Sequence, residues 1–130
     1  MIDHLSSYAT NFVTTRDFYV AVFSVLEYDL QTEFDLKDDP DLPGRRICSF
    51  GERGKGIFWI IESIITYTPR HIAFTANSQF QVEEFYRIAM KNNAIDNGAP
   101  NLRPEYHAHY YGAFVLDPDG NNIEAVYHGN

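Results

Sequence analysis

The sequence predicts an α+β fold made of two similar modules, each a strand, a helix and then two or three more strands. Three observations predict it. Motifs recur at one offset: His4 and His71 are 71 − 4 = 67 apart, and Asp17-Phe18-Tyr19 and Glu84-Phe85-Tyr86 share that offset, since 84 − 17 = 67. A repeat this long is a statement about architecture. Two apolar stripes at helical spacing fall in phase: Phe18, Ala21, Val22, Val25 and Leu26, then Val82, Phe85, Tyr86, Ala89 and Met90. The chain also closes on a hairpin pattern, two strand-like runs around Asp117-Pro118-Asp119-Gly120. Neither module can bury a sheet alone, so the two sheets should combine. The result is one domain over residues 1–130, with modules at about 1–66 and 67–130.

Each element has its own reason. Ile2 to Tyr8 alternates as a short strand, with His4 and Ser6 on one face and Leu5 on the other. Thr14 and Asp17 have capping-box spacing, so a helix starts there. Strands are expected at Tyr28 to Phe34, Arg46 to Phe50 and Ile57 to Ile65. The acidic run Glu33 to Asp41 leads into a loop rich in Asp, Pro and Gly. In the second half, Arg70 to Ala76 is a strand with His71 opposite Ile72 and Phe74. Ser78 with Gln81 caps the second helix, and Asn92-Asn93 ends it because Asn tolerates the left-handed conformation. Asn97-Gly98 and Pro100 mark a loop. Tyr110 to Leu116 and Asn122 to Tyr127 are the final strands, joined by a type I turn that Asp, Pro and Gly suit at its first, second and fourth positions.

Composition bounds the function. The 130 residues are 45% hydrophobic and 15% aromatic, enough for a core. Cys48 is the only cysteine, so no internal disulfide is possible and a reducing, cytoplasmic setting is expected. No secretory signal pattern and no membrane-spanning apolar run is present. A net charge of −8 argues against nucleic acid or anionic lipid as the main partner.

Glu124 is a carboxylate inside an otherwise apolar strand. Either that strand is an edge with Glu124 in water, or the carboxylate is buried and needs a partner. Arg103 either holds an anionic group or caps a loop carbonyl. Tyr106, His107, His109 and Tyr110 either form a substrate-facing rim or are solvated. Trp59 is a pocket wall or core. Cys48 reads as a small buried hydrophobe, since no base can be assigned beside it.

The repeated β-α-β-β-β order resembles the vicinal oxygen chelate superfamily, which includes glyoxalase I, bleomycin resistance proteins and extradiol dioxygenases. Ile2-Asp3-His4, Asp17-Phe18-Tyr19, His71-Ile72-Ala73-Phe74 and Glu84-Phe85-Tyr86 carry the resemblance. Asn97-Gly98-Ala99-Pro100 with Arg103-Pro104, Tyr110-Tyr111, Ala113-Phe114-Val115, Asp117 to Asn121 and Ile123-Glu124 are similar to one glyoxalase-like branch. Asn101 stands where that branch prefers Gly. The resemblance implies an open, cup-shaped mixed sheet with helices outside and a site within. It implies His4, His71 and Glu124 as ligands of a divalent Zn, Fe, Mn, Ni or Co ion. Trp59, Arg103 and Tyr110, read from the residues themselves, are the candidates for contact with a small-molecule ligand. The resemblance also implies a homodimer. Glyoxalase I carries a fourth ligand in the first half. The offset points to 124 − 67 = 57, and Ile57-Phe58-Trp59-Ile60 contains no ligand, while Glu62 lies further along. That departure counts against lactoylglutathione lyase activity, because its isomerisation needs a base beside the metal. The three-ligand set resembles the facial triad of non-heme iron oxygenases. The functions left open are a metal-dependent lyase, isomerase or oxygenase acting on a small polar molecule with adjacent oxygens, and a metal-free binding protein of the resistance type.

Overall fold

The computed structural model describes residues 1–129, which form two units of the same construction, the first Met1–Thr68 and the second starting at Pro69. Unit 1 holds β1 (Leu5–Ala9), α1 (Phe12–Val25), β2 (Asp29–Leu36), β3 (Arg45–Glu52) and β4 (Lys55–Glu62). Unit 2 holds β5 (His71–Thr75), α2 (Gln79–Lys91), β6 (Ile95–Leu102), β7 (Tyr111–Leu116) and β8 (Asn122–Tyr127). Each unit builds one four-stranded mixed sheet, in the orders β1-β4-β3-β2 and β5-β8-β7-β6. In both, the first strand runs parallel to the last, and the remaining pairs are antiparallel. Two βαβββ modules are thus present. No helix among the described residues is long and apolar enough to cross a membrane.

Local chemistry explains the boundaries. α2 starts at Ser78, whose Oγ accepts from the Gln81 N–H at 3.0 Å, as its spacing predicts. The Gln81 side chain reaches back one residue further than a capping box requires, to the Asn77 N–H at 2.7 Å. α1 starts earlier than expected. Asn11 is its cap and accepts from the Thr14 N–H at 3.2 Å. Asn caps at least as well as Thr, and an earlier start puts Phe12 into the core. Asn93, at φ 68°, closes α2 in the left-handed conformation.

Two expectations need correction. Asn97 to Pro100 is not a loop but part of β6, an edge strand whose pairing with β7 is interrupted between Asp96 and Asn101. Bulges and edges are where a sheet tolerates Pro and Gly. The reading of β8 as an edge strand is also overturned. It lies between β5 and β7, and Glu124 is 1% exposed.

Each sheet packs one face on its own helix. In unit 1, Tyr19, Phe23, Phe50 and Phe58 form an aromatic core with ring centroids 5.0–6.2 Å apart. In unit 2, Val82, Phe85 and Ala89 of α2 are buried, as are Ala113, Val115, Ile123 and Ala125 of the sheet.

At the far end of β3 and β4, Arg46 grips Glu62 with two nitrogens, at 3.1 and 2.6 Å, and lies 5.1 Å over the Phe12 ring. The Arg46 hydrogen bonds hold the Glu62 carboxyl below its ordinary value. A depressed carboxylate stabilises the fold above its unfolded pKa and loses that contribution as pH falls through the folded one. Arg46→Ala should cost about 1 kcal/mol at pH 7, from a part-exposed ion pair and a cation–π contact. The difference from wild type should shrink as pH falls below the unfolded carboxylate value of about 4.3 and toward the lower folded value of Glu62. Urea titrations at pH 7 and 3.5 check this, and an equal difference at both would refute it.

Candidate metal centre

The helix-free face of the unit 2 sheet brings His71 and Glu124 together. Across the parallel β5–β8 pair, Ala73 lies opposite Glu124 and His71 lies opposite Asn122. His71 is therefore a diagonal neighbour of Glu124, and its Nε2 stands 3.2 Å from Glu124 Oε1. The other ring nitrogen, Nδ1, lies 3.1 Å from the Asn122 carbonyl oxygen. A carbonyl only accepts, so Nδ1 carries the proton and donates. In the neutral ring, Nε2 is then a bare lone pair facing a carboxylate oxygen. That arrangement needs a cation between the two atoms, either a proton or a metal ion. Ligand atoms about 2.0–2.2 Å from one ion and at roughly right angles lie about 3 Å apart, which matches the observed gap. The backbone carbonyl behind the imidazole is a usual outer partner of a metal-bound His.

The second oxygen of Glu124 is also engaged: the Tyr110 hydroxyl donates to Oε2. Burial first, then this hydrogen bond and the carboxylate's charge, raise the Tyr110 pKa well above the ordinary phenol range. Gly112 makes the contact possible. A Cβ there would sit 3.0 Å from Glu124 Oε2 and 3.2 Å from the Tyr110 ring. His71, Tyr106, Tyr110, Phe114 and Glu124 line a cavity of about 330 Å³. Phe114 lies opposite Glu124 on β7, and its ring centroid is 6.0 Å from that of His71.

His4 belongs to unit 1, just before β1, with its side chain 56% exposed. Its Nδ1 lies 2.7 Å from Asp3 Oδ1, so it donates to a carboxylate and leaves Nε2 as a lone pair. The His4 hydrogen bond, helped by Lys55, lowers the Asp3 pKa. Among the described residues, no three His, Cys, Asp or Glu side chains form one cluster ready to hold an ion. Unit 2 contributes the His71–Glu124 pair.

Trp59 has a position that the repeat offset misjudges. Ser6 pairs with Trp59 just as Ala73 pairs with Glu124. Trp59, not Ile57, is therefore the unit 1 counterpart of Glu124, at an offset of 124 − 59 = 65. The absence of a ligand at that position stands. The indole N–H donates to the Gly56 carbonyl at 3.2 Å, and the half-buried ring meets His4 and Phe34 edge-on at 6.5 and 6.4 Å.

Arg103 gives Nη2 to the carbonyls of Ala99 and Gly112, at 2.5 and 3.3 Å, with its guanidinium 5.3 Å over Phe114. Its buried Nε finds no partner among the described residues. His107 Nε2 bonds His128 Nδ1 at 2.9 Å, and His107 Nδ1 accepts from the His109 N–H. Burial pushes the Cys48 thiol up to about 12, so Cys48 stays protonated and inert. The sequence reading did not find Asp3, His128 or Gly112. For Gly112 the signal was a glycine inside a strand beside an acidic neighbour strand, a usual mark of close approach.

No family model and no curated protein sequence matches the chain. Solved structures do. A glyoxalase/bleomycin resistance protein from Albidiferax ferrireducens superposes with a TM-score of 0.73 at 20% identity, covering 98% of each chain. A fosfomycin resistance protein from Listeria monocytogenes, in complex with Mn(II) and 1S,2S-dihydroxypropylphosphonic acid, gives 0.70 at 15% identity over 100% of this chain and 93% of its own. Glyoxalase I from Zea mays gives 0.76 at 15% identity, over 99% of this chain and 45% of its own. The repeated βαβββ construction of this chain is thus the fold of the vicinal oxygen chelate superfamily, shared with glyoxalase, bleomycin resistance and dioxygenase proteins.

Proposed function

We propose that this chain is a metal-dependent enzyme of the glyoxalase-like kind, a lyase, isomerase or oxygenase acting on a small polar molecule with adjacent oxygens. Its ligands would be His4, His71 and Glu124. One observation carries the reading: His71 Nε2 and Glu124 Oε1 present two lone pairs 3.2 Å apart, with the proton of His71 committed to Asn122. His4 supports it, since Asp3 leaves its Nε2 free in the same way. A bound divalent ion, its identity open among Zn, Fe, Mn, Ni and Co, would supply Lewis acidity toward an enolate or oxyanion. The chain's own residues do the rest. Tyr110 fixes the carboxylate, while Tyr106 and Phe114 give the cavity apolar walls. Trp59 and Arg103 are the remaining candidates for substrate contact, with Arg103 Nη2 held by two backbone carbonyls. The two units would build one domain, and the protein would be a cytoplasmic homodimer.

A second reading is favoured by the aromatic lining of the cavity and by the alternative cation, a proton on His71 Nε2, which would satisfy Glu124 Oε1 without a metal. It makes the protein a metal-free binder of small molecules or antibiotics. Elemental analysis of protein purified without chelator separates the two. About one transition-metal ion per chain, lost in His71→Ala, is the expected result. Metal-free wild type that also takes up none of the five ions on dialysis overturns the first reading. Light scattering at tens of micromolar should give twice the chain mass, and a monomer mass would sink the dimer.

A further inference from the structure

We infer that Tyr110 is a positioning residue: its hydroxyl occupies Glu124 Oε2, so that the carboxylate offers a metal ion one oxygen, Oε1, beside His71 Nε2. This rests on the metal reading above. A carboxylate can bind an ion through one oxygen or both, and here the protein has chosen. The Tyr110 hydroxyl donates its single proton to Oε2. Glu124 is 1% exposed, so water does not compete for that oxygen. The phenol ring is itself held. Tyr106, His107 and His128 meet it at steep angles, with centroids at 4.9, 5.4 and 5.3 Å. His107 and His128 are joined to each other in one direction. The His109 N–H donates to His107 Nδ1, so the neutral His107 ring carries its proton on Nε2 and gives it to His128 Nδ1. That bond ties the loop ending at Tyr110 to the residue just past β8. Beneath the contact, Gly112 leaves room for the phenol and the carboxylate and for no side chain. Binding through one oxygen spends one coordination position on Glu124 rather than two and keeps another open for substrate oxygens.

The test uses the full chain with Co²⁺ and Zn²⁺ as probes. Tyr110→Phe removes one oxygen and leaves the ring. Its Co²⁺ dissociation constant should rise about 10–100-fold, the usual cost of losing an outer partner. Its visible cobalt bands should shift as Oε2 becomes free to coordinate. A tyrosine that merely packs would lower the melting temperature without moving those bands. A variant that binds Co²⁺ with wild-type affinity and spectrum overturns the inference alone. Wild type that binds no Co²⁺ overturns the metal reading and this inference with it. A second measurement needs no variant. The Tyr110 hydroxyl proton of wild type should give a slowly exchanging NMR resonance that persists after Zn²⁺ is added, and its loss on Zn²⁺ addition would overturn the inference even if Tyr110→Phe fails to fold.

Discussion

Glu124→Gln should abolish stabilisation by Zn²⁺ while leaving the metal-free protein at least as stable as wild type. The two effects have opposite origins. In wild type, Glu124 Oε1 faces the bare Nε2 of His71, because Nδ1–H is committed to the Asn122 carbonyl. A glutamine resolves that conflict without any cation. Its amide N–H can donate to Nε2, and its carbonyl can keep the hydrogen bond from Tyr110. It also removes a carboxylate that is 1% exposed, and an ionised group so far from water is costly to keep. The same change strips the site of its anionic ligand. Outer-partner losses alone cost about 10–100-fold in metal affinity, so removing a ligand should cost more. Wild type at about 100 times its dissociation constant for Zn²⁺ should gain about 2.7 kcal/mol, and the variant close to none. Melting curves with Zn²⁺ and with a chelator measure both halves. A metal-free variant destabilised by more than about 2 kcal/mol would mean that the carboxylate is structural. An undiminished zinc response would remove Glu124 from the site.

This opposition between stability and site chemistry is what a functional residue is expected to show, and it was only half legible in the sequence. The hydrogen-bonding capacity of Glu124 could be read, but its burial could not. Burial depends on β8 lying between β5 and β7, and the parallel β5–β8 pairing joins residues some fifty positions apart. The Asp117–Gly120 turn and the Ser78 cap were legible because their bonds close within four residues. The 67-residue offset held for the first strands and the helices, yet it failed for the last strands. From Ser6 to its partner Trp59 is 59 − 6 = 53 positions, and from Ala73 to Glu124 is 124 − 73 = 51. An offset holds only while the connections have equal length. Asn97 to Pro100 looked like a loop because Gly and Pro usually punctuate, and nothing local says that a strand will be an edge. Arg103 was left open between a ligand role and a loop-capping role. The carbonyls of Ala99 and Gly112 now account for one of its nitrogens.

Phe23→Ala should be the most destabilising single truncation in unit 1. Phe23 is fully buried on α1, with ring centroids 5.0 Å from Tyr19, 5.3 Å from Phe50, 5.6 Å from Phe58 and 6.0 Å from Tyr28. Its removal takes away a buried aromatic surface and the edge-to-face contacts with rings on β3 and β4. The neighbours cannot close the gap. Tyr19, Phe50 and Phe58 are themselves essentially fully buried and fixed by α1 and by two paired strands. The cavity term therefore adds to the transfer term, and a Phe→Ala change of this kind costs about 3–5 kcal/mol. That is a large share of the roughly 5–15 kcal/mol that holds a domain of this size together. The melting temperature should fall by roughly 10–15 °C. Phe23→Leu keeps most of the volume and should lose less than half as much. Phe80→Ala is the matched control, since that ring on α2 is 69% exposed and its loss should stay within about 0.5 kcal/mol. Thermal and urea melts of the three variants would decide the matter. Equal losses for Phe23→Ala and Phe80→Ala would mean that the aromatic core between α1 and its sheet is not what holds this unit together.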